Sequence, residues 1–510
     1  MTKMVVPSQP VKYPALLIGF IISAVLAFGF DLKPGSPVVT YTAAIAVLMA
    51  IWWVTEAIPI AVTSLVPVVF FPLFGIMDGK AVSNSYINYI IFLFIGGFIM
   101  ALAMEKWELD KRIALKILSL VGGNPFTILF GFLFASAFLS MWMSNTATAM
   151  MMLPIALSVT GQIEEIHGAK NAGRLNAGIL LGIAYGCSIG GIATLVGTPP
   201  NLSFVRIFNI LFPQGPEVSF GEWLIFALPL SAAMFISCLF LLFFMFRVKG
   251  TTQKFRRDFF RKEYQKLGDM TAEQKRVLFV FLLLVFLWVF RESIEFGSIR
   301  IPGWSRILHT PNMVNDGTVA IFIALLLFII PSSQKRSALM DWPTARKMPW
   351  RIVLLFGGGF ALAQGFVDSG LSLYIGEQLK ATGHFSLAGL VSILTTAMCG
   401  LTEFTSNTAT TEMLLPIVGA LSVQINVNPL LLMLPVTLAG SMAFMFPIAT
   451  PPNAIVYGSG KVSMWQMAKA GIWLNLAAIF LITLFTLFWG SIVLGIDLTA
   501  FPEWAVIPVE

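Results

Sequence analysis

The sequence contains few charged residues for its length. Of its 510 residues only 11% are charged, whereas 57% are hydrophobic, and its mean hydropathy is +0.86. Soluble domains carry about 25% charged residues, because charged side chains cover their surface. A larger buried core cannot replace such a surface. The composition therefore excludes a soluble globular protein and predicts an integral membrane protein.

Cysteine and histidine are also scarce. The three cysteines, Cys187, Cys238 and Cys399, all lie in apolar segments, and the three histidines are scattered. This pattern provides neither a disulfide framework nor the spacing of a zinc site. The sequence has no Walker-type loop, no nucleophile placed beside a base and no cluster of His, Asp and Glu. We therefore predict that the protein is neither an enzyme nor a self-contained ATP-driven pump.

Long apolar runs are abundant instead. Those at 13–30, 223–246, 277–290, 318–330 and 472–495 have the length of helical membrane spans, or nearly so. We predict an all-α polytopic membrane protein with about 11 transmembrane helices. The first run, 13–30, is predicted to be a retained span rather than a cleaved signal peptide.

Positive charge is concentrated in two loops. The stretch from Arg247 to Arg276 holds ten Lys and Arg against four acids, and the loop 332–351 holds five against one. Two spans separate these loops, so both lie on one side of the membrane, and the positive-inside rule identifies that side as cytoplasmic. We predict a plasma (inner) membrane protein with a cytoplasmic N-terminus and an external C-terminus. Its positive charge then reflects orientation in the lipid bilayer and not a nucleic-acid partner.

A polar motif, SNTAT, occurs twice, at 144–148 and at 406–410. The same offset of 262 residues aligns LFIGGF, which begins at Leu93, with LFGGGF, which begins at Leu355. The chain therefore contains an internal repeat. In the predicted topology the two copies run in opposite directions across the membrane. Inverted repeats are typical of secondary transporters, whose binding site lies near the midplane where the repeats meet.

The two SNTAT motifs are predicted to be the tips of re-entrant helical hairpins, 124–157 and 385–419. The apolar arms beside each tip hold roughly 15–18 residues, too few to cross the membrane comfortably. Non-helical backbone at that depth is tolerated where it lines a cavity. The positive end of the outgoing helix suits a carboxylate, and free carbonyls with Ser and Asn oxygens suit sodium.

A second motif, TPPN, belongs to the same repeat, since GTPPN at 197–201 is echoed by ATPPN at 449–453. Two prolines remove N–H donors and interrupt the helical hydrogen bonds. We predict a broken helix over 176–211 with its break at Gly197–Asn201, and a second break around Ala449–Asn453. Each break leaves carbonyl groups without helical hydrogen bonds. We predict that one tip and one break together form half of a binding site.

At these residues the sequence resembles the divalent anion:sodium symporter family, which includes sodium-coupled dicarboxylate and citrate transporters. Paired Ser-Asn-Thr motifs characterise that family, and the stretches 52–76 and 91–115 also resemble it. The resemblance extends over about 13–495 and implies a homodimer in which each protomer has a scaffold domain and a transport domain that moves like an elevator. It implies sodium-coupled transport of dicarboxylates such as succinate, malate or fumarate, with 2-oxoglutarate as a further candidate.

The resemblance also implies the residues of the site, with two or more sodium ions bound beside the tips. One set of sodium ligands is Ser140, Ser144, Asn145 and Gly197, and the other is Thr402, Ser406, Asn407 and Ala449. The substrate carboxylates would contact Asn145, Thr146, Asn407 and Thr408, with Thr198, Pro199, Thr450 and Pro451 nearby. The repeat supports these sets, because it pairs Ser140 with Thr402 and Gly197 with Ala449.

The repeat and the charged loops suggest domain boundaries. We predict N-terminal scaffold helices in 1–88, a first repeat part in 89–211, scaffold helices with the basic loop in 212–349, a second, inverted repeat part in 350–460 and a C-terminal helix in 461–510. Charged and apolar residues alternate at helical spacing in 105–121, which predicts an amphipathic helix on the cytoplasmic surface.

Two acids flank the second tip. Glu403 and Glu412 stand where the first copy has Met141 and Met150. Ionisable residues at membrane depth are functional candidates, and a carboxylate at 412 can bind a proton, replace part of the cation requirement or face water. The alternatives to a sodium symporter are therefore a sodium-independent dicarboxylate exchanger, or a citrate or sulfate carrier of the same family. A channel is disfavoured, because the polar residues form two closed islands and no continuous pore lining.

Overall fold

The computed structural model describes residues 11–121, 124–167, 169–247, 258–296, 299–333, 337–379, 385–498 and 500–506. Within these ranges the chain is helical apart from an isolated bridge and one antiparallel hairpin of β1 (Ile294–Phe296) and β2 (Ile299–Ile301). The predicted helical class is confirmed, with this short hairpin as an addition. The basic residues predicted within 248–257 and 334–336 lie outside the described residues.

The first half of the chain forms helices up to the end of a long apolar helix at Phe246. They are α1 (Tyr13–Gly29), α2 (Pro37–Thr55), α3 (Ile60–Thr63), α4 (Val66–Leu73), α5 (Gly79–Tyr86), α6 (Tyr89–Lys106), α7 (Leu109–Leu120), α8 (Pro125–Ser140), α9 (Asn145–His167), α10 (Ala169–Gly191), α11 (Pro199–Leu211) and α12 (Phe220–Phe246).

The second half continues in the same manner, with the β hairpin between its second and third helices. The helices are α13 (Asp258–Lys266), α14 (Ala272–Val289), α15 (Asp316–Ile329), α16 (Trp342–Ala345), α17 (Trp350–Asp368), α18 (Leu371–Leu379), α19 (Leu387–Thr402), α20 (Asn407–Gln424), α21 (Pro429–Ala439), α22 (Pro451–Gly458), α23 (Met464–Leu484) and α24 (Gly490–Val493). A π-helical turn, Phe485–Trp489, joins the last two.

Several helices can cross a membrane. Within the described residues six segments are long and apolar enough by length and composition: Pro37–Thr55, Gly79–Lys106, Asn145–Glu165, Phe220–Phe246, Trp350–Asp368 and Met464–Val493. Six further apolar helices, of 10–17 residues, include α1, α8, α15, α19 and α21. Large apolar side chains such as Phe28, Phe244 and Phe480 are exposed, as expected where lipid replaces water. The chain is therefore a multi-pass membrane protein.

Each SNTAT motif lies at the turn between two helices, as predicted. α8 ends at Ser140 and α9 begins at Asn145, while α19 ends at Thr402 and α20 begins at Asn407. Ser and Asn are favoured at helix N-termini, because their side-chain oxygens accept hydrogen bonds from the free N–H groups of the first turn. The motif therefore fixes the start of each outgoing helix.

The outgoing helices are longer than predicted. A proline inside an apolar helix removes one hydrogen bond but does not end the helix when the residues on both sides stay packed. α9 is consequently long enough to cross the membrane, contrary to the prediction of a short arm. α9 continues past Pro154 to His167, beyond the predicted hairpin 124–157. α20 likewise continues past Pro416 to Gln424, beyond the predicted hairpin 385–419.

The breaks at the TPPN motifs lie earlier than predicted. In both copies the prolines occupy the first two positions of the following helix, where a helix needs no N–H donor. The non-helical backbone therefore precedes the prolines. The corrected breaks are 192–198, between α10 and α11, and 440–450, between α21 and α22.

The predicted amphipathic helix is present as α7, within 105–121. Its Leu115 and Leu118 are buried, and its Arg112 donates hydrogen bonds to the carbonyls of Leu267 and Gly268, both at 2.9 Å. α7 thus packs against α13, which lies in the basic stretch from Arg247 to Arg276.

Two hydrophobic cores organise these helices. The smaller one joins α2, α4 and α5 to one face of α17 and to α18, with Trp53, Phe71 and Phe366 buried in it. The larger one contains buried residues of α6 to α12, of α14 and α15, and of α19 to α23. Both tips and both breaks adjoin the larger core, while Ala409 of α20 reaches the smaller one.

Candidate functional site

The first tip is held by hydrogen bonds within its own motif. Ser144 caps α9, since its hydroxyl accepts from the N–H of Ala147 at 3.2 Å and its carbonyl from the N–H of Thr148 at 3.0 Å. The hydroxyl of Ser140, at the end of α8, donates to Asn145 Oδ1 at 2.6 Å. The Asn145 amide therefore lies against the end of the incoming helix.

The second tip repeats this arrangement. Ser406 accepts from the N–H of Ala409 at 3.5 Å and caps α20. Thr402 Oγ1 lies 2.7 Å from Asn407 Oδ1 and 2.9 Å from the carbonyl oxygen of Gly440. Three oxygens of different residues thus meet at the end of α19, as two do at the end of α8.

The first break is fastened by an asparagine that follows its prolines. Asn201 Nδ2 lies 2.7 Å from the carbonyl oxygen of Thr194 and 3.3 Å from that of Gly191. The N–H of Gly197 donates to the same Thr194 carbonyl at 3.4 Å. Because Nδ2 faces the carbonyls, Asn201 Oδ1 points elsewhere, and it is buried with no hydrogen-bond partner among the described residues.

The second break has the same hydrogen bonds at the equivalent positions. Asn453 Nδ2 lies 3.0 Å from the carbonyl oxygen of Phe446 and 3.1 Å from that of Ala443. The N–H of Ala449 donates to the Phe446 carbonyl at 3.2 Å. Asn453 Oδ1, like its counterpart, is buried and has no partner in the described part of the chain. The two copies of the sequence repeat therefore form the same hydrogen bonds at their breaks.

The first tip and the first break are in direct contact. Thr194 Oγ1 donates to the carbonyl of Met141 at 2.5 Å. A Cβ at Gly191 would lie 2.9 Å from Asn145 Oδ1 and 3.3 Å from the Gly197 carbonyl oxygen, so a larger residue here would displace the Asn145 amide. Three of the four residues predicted for the first sodium site, Ser140, Asn145 and Gly197, are thereby brought together, with Ser144 beside them as the helix cap.

A carboxylate joins the second tip to its break. Glu403 Oε1 accepts from the N–H groups of Phe444 at 2.8 Å and Met445 at 3.0 Å. It also accepts from Asn475 Nδ2 of α23 at 2.7 Å. The first copy has Met141 in this position and uses its backbone carbonyl instead. Each tip is thus fixed to its own break, but by different chemistry.

The two halves interlock through the helices that follow the tips and the breaks. α9 packs against α22, and α20 packs against α11, so each tip helix contacts the helix that follows the break of the other half. Thr198 and Thr450 stand at the N-terminal caps of α11 and α22, and Thr450 Oγ1 accepts from the N–H of Asn453 at 3.3 Å. Two helices of each half thus begin at a tip or directly after a break, and the positive dipole end of a helix N-terminus can bind an anion.

The predicted residues differ in burial. Asn145, Thr146, Asn407, Ser144, Ser406 and Pro199 are half-buried, Pro451 is exposed, and Ser140, Gly197, Thr402, Ala449, Thr198, Thr408 and Thr450 are buried. The amides and Thr146 are thus open on one side, whereas the hydroxyls behind them are enclosed. None of these side chains is charged, so an anion bound here would be held by neutral donors.

Sequence reasoning missed several residues that shape the site. Asn201 and Asn453 were visible only as the last letter of a repeated motif. Thr194 and Asn475 carry no local signal, because their partners, Met141 and Glu403, are distant along the chain. Only the three-dimensional structure brings them together.

Comparison with known proteins assigns the chain to a family. The family model described as the sodium:sulfate symporter transmembrane region matches residues 19–496. The chain belongs to this family. The resemblance noted in the sequence is therefore confirmed, and the protein is a transporter and not an enzyme.

Named relatives in the family are similar over nearly their whole length. The sodium-dependent dicarboxylate transporter SdcS of Staphylococcus saprophyticus is 42% identical over 466 residues, which cover 90% of this chain and 88% of that protein. The protein of the same name from Staphylococcus aureus is 42% identical over 468 residues, which cover 90% and 87%.

Solved structures share the fold at low sequence identity. The YdaH transporter of Alcanivorax borkumensis matches with a TM-score of 0.54 and 12% identity, over 88% of this chain and 99% of that one. MtrF of Neisseria gonorrhoeae matches with a TM-score of 0.50 and 13% identity, over 91% and 96%. These matches show that the helical fold is shared.

Proposed function

We propose that this protein is a secondary transporter that moves C4 dicarboxylates together with sodium. The relatives that carry this activity in their names are 42% identical over 90% of the chain. The observation that carries the proposal is the duplicated site, in which two tips and two breaks repeat the same hydrogen bonds without a charged side chain among the predicted ligands. Such a site binds a dianion well only when cations bind with it.

Sodium fits the oxygens that meet beside each tip. Ser140 Oγ, Asn145 Oδ1 and the Gly197 carbonyl are neutral, hard oxygen ligands of the kind that transporters use for sodium at unwound helices. Of the second predicted set, Thr402, Ser406, Asn407 and Ala449, the Thr402 and Asn407 side-chain oxygens lie 2.7 Å apart, and the Gly440 carbonyl is a further oxygen beside them. The side-chain oxygens of Asn201 and Asn453 are buried and, among the described residues, unpaired. Because buried polar atoms need a partner, these oxygens also favour a bound cation.

The dicarboxylate is proposed to bind between the two halves. The N-termini of α9 and α20 present the free N–H groups and side chains of Asn145, Thr146, Asn407 and Thr408, and α11 and α22 add theirs. One carboxylate would contact each half. Because the donors are neutral, the sodium ions supply the positive charge, and substrate binding therefore depends on sodium.

The remaining architecture is part of the same proposal. Inverted repeats, eleven spans, a cytoplasmic N-terminus and an external C-terminus follow from the charge distribution and the repeat. A homodimer with an elevator-type transport domain is what the family resemblance implies. The separate smaller core around α2, α4, α5 and α18 supports a division into two packing units.

Uptake into proteoliposomes tests the proposal. Radiolabelled succinate is supplied with and without an inward sodium gradient, to empty vesicles and to vesicles loaded with succinate. Accumulation in empty vesicles that requires sodium and fails with potassium or choline is the expected result. Uptake only into loaded vesicles, indifferent to sodium, would show an exchanger, and sodium-driven uptake of sulfate or citrate without succinate would reassign the substrate.

A further inference from the structure

A buried carboxyl group lies just behind the second tip and is not used by the proposed transport site. Glu412 is in α20, one helical turn beyond Thr408, and its side chain is 0% exposed. Its Oε1 accepts a hydrogen bond from Ser203 Oγ of α11 at 2.8 Å. The equivalent residue in the first half, Met150, is 57% exposed and apolar. At this position the two halves therefore differ: the second half has a buried carboxyl group where the first half has an exposed apolar side chain.

The second oxygen of this carboxyl is unpaired. Glu412 Oε2 has no hydrogen-bond partner among the described residues. It lies against the backbone of α17, where a Cβ at Gly359 would come within 2.3 Å of it. Glycine at 359 thus gives the carboxyl its space, and the close contact leaves little room for the several oxygens that a sodium ion needs.

The neighbouring helices do not neutralise this carboxyl. The charged side chains on the helices packed against α20 are Arg206 of α11, Arg351 and Asp368 of α17 and Glu377 of α18, and none of these forms an ion pair or hydrogen bond with Glu412 in the described structure. The neutral titratable groups on these helices are Tyr41, Tyr374 and Cys399. Tyr86 of α5 is near enough to interact with the carboxyl electrostatically, but its hydroxyl donates to the Ser64 carbonyl.

A carboxylate in such a place is costly. One hydroxyl donor does not replace the water that an ionised carboxylate loses on burial. Uptake of a proton removes the charge, and a proton needs no cage of ligands. Ionisable groups at membrane depth that remain without a counter-ion commonly mark ion or proton pathways.

Glu412 is also placed to sense the substrate. It follows Thr408 by four residues, about 6 Å along the helix axis. Ser203, its partner, lies in α11, whose N-terminus belongs to the same proposed anion site. A dianion bound at these N-termini repels a negative charge at Glu412, so anion and proton each favour the binding of the other.

We propose that Glu412 is a proton site of the transport cycle, and that one proton moves with each dicarboxylate in addition to sodium. This proposal rests on the proposed dicarboxylate transport. The carboxylate takes up a proton from the side on which substrate binds, and the resulting carboxylic acid returns that proton to the solution on the other side when substrate leaves. No bond other than O–H forms or breaks.

The test measures proton and substrate movement in the same proteoliposomes. Fumarate remains a dianion from about pH 6 to about pH 8.5, because carboxyl groups titrate near pH 4. Uptake of radiolabelled fumarate is followed over this range with a fixed sodium gradient, and a trapped pH dye reports proton entry. We expect one proton to enter per fumarate, and the apparent fumarate affinity to fall up to about tenfold per pH unit on the alkaline side.

The variant Glu412→Gln keeps the shape of the side chain but cannot exchange a proton. We expect fumarate uptake without proton entry and with an affinity that no longer depends on pH. Glu377→Gln is the matched control, since Glu377 is an exposed carboxyl on α18, which packs against α20. This control should retain the wild-type pH profile and proton entry.

The outcomes separate the two proposals. Fumarate uptake by the wild-type protein without proton entry overturns the proton site alone, and this measurement does not require that any variant fold. A Glu412→Gln variant that loses one sodium ion from the coupling ratio, with proton movement unchanged, would assign the carboxyl to sodium and also overturn it. Absence of fumarate uptake by the wild type at every pH overturns the proposed function and the proton site with it.

Discussion

Single residues at the two tips hold the amide groups that would face the ligands. The Asn145 and Asn407 side chains are open on one side, and their carbonyl oxygens are held from behind by Ser140 and Thr402. A hydroxyl can turn its proton toward the amide and still offer its lone pairs to a cation. Each enclosed hydroxyl therefore holds the amide in place and can also act as a ligand in the proposed sodium site.

Removal of the hydroxyl at the first tip should weaken sodium binding. Ser140→Ala deletes one proposed sodium ligand and frees the Asn145 amide. We expect the sodium concentration for half-maximal uptake to rise about tenfold, which corresponds to about 1.4 kcal/mol. Ser136→Ala is the control, because Ser136 lies one turn earlier in α8 and its buried hydroxyl has no partner in the described structure. An equal effect of both substitutions would argue that α8 packing, and not the ligand, is responsible.

Glu403 fixes the second tip through three hydrogen bonds from neutral donors. Glu403→Ala leaves the N–H groups of Phe444 and Met445 unpaired, and hydrogen bonds to charged groups are worth about 1.5–3 kcal/mol each. We expect a fall of several degrees in the melting temperature of the purified protein and a loss of uptake. Glu403→Gln keeps one acceptor oxygen and should be intermediate. Wild-type melting of the alanine variant would contradict the role of this carboxylate.

For single residues, the sequence predicted those at the tips better than the residues of other helices that hold the tips in place. Ser140, Ser144 and Asn145 belong to a motif that the repeat makes visible, and the structure places them together. Asn475 lies 72 positions from Glu403, and no pattern of spacing connects two such residues. A local motif is readable because its partners are neighbours in sequence, whereas support from another helix depends on the packing.

In each broken helix, the shape of the break depends on an asparagine that follows it and donates hydrogen bonds to its carbonyl groups. Asn201→Ala removes the donor to the Thr194 and Gly191 carbonyls, and Asn453→Ala does the same in the second half. We expect each variant to reduce uptake at least tenfold, because the break that holds Gly197 or Ala449 loses its shape. Asn209→Ala, in the same helix as Asn201, is the control and should transport normally. Normal uptake by both variants would mean that the breaks are held by other contacts.

The end of α6 is joined to the segment before α16 by an ion pair at 2.7 Å between Lys106 and Asp341. The hydrogen bond from the Lys106 ammonium lowers the pKa of Asp341 to about 2. The carboxylate of an unfolded chain titrates near pH 3.9. A group with a lowered pKa stabilises the fold above its unfolded pKa and loses that contribution as the pH falls through its folded pKa.

The stabilising effect of this pair should therefore be constant at physiological pH and decline only below about pH 4. Asp341→Asn should lower the melting temperature slightly and by the same amount at pH 5.5 and pH 8. Thermal unfolding at the two pH values measures this. A difference that grows between them would contradict the assignment of the low pKa to Asp341.

Helix ends were the least predictable part of the fold. The prolines of TPPN and those at 154 and 416 look alike in sequence, yet the first pair begins helices and the others lie within them. A proline is equally compatible with the first turn of a helix and with a tolerated kink. Which of the two occurs depends on the neighbouring helices, and these are not visible in a single sequence.

For the whole molecule, ligands that bind only the folded state should stabilise it together. Sodium and succinate at about 100 times their dissociation constants add about 2.7 kcal/mol per independent site. We expect a larger rise in melting temperature with both than with either alone, and no rise for succinate in potassium. Asn145→Ala should abolish the joint effect, and succinate stabilisation in potassium alone would contradict coupling through sodium.

The repeat in the sequence predicted that two halves exist and which residues correspond. It did not predict that α9 packs against α22 and α20 against α11, because correspondence within a repeat carries no information about contact between its copies. The interlocking of the halves is therefore the part of the site that only the structure provides.

The absence of a charged side chain among the proposed ligands also determines how the membrane voltage acts on the carrier. An empty site without fixed charge crosses the membrane without electrical work, whereas one net charge across 100 mV involves about 2.3 kcal/mol. Two sodium ions and a dianion sum to zero and would make the cycle electrically silent. With the proton at Glu412 the loaded carrier stays neutral, and the empty carrier returns with the negative charge of the ionised carboxylate. Each turnover would then carry one positive charge inward, so that a negative cell interior would itself drive uptake.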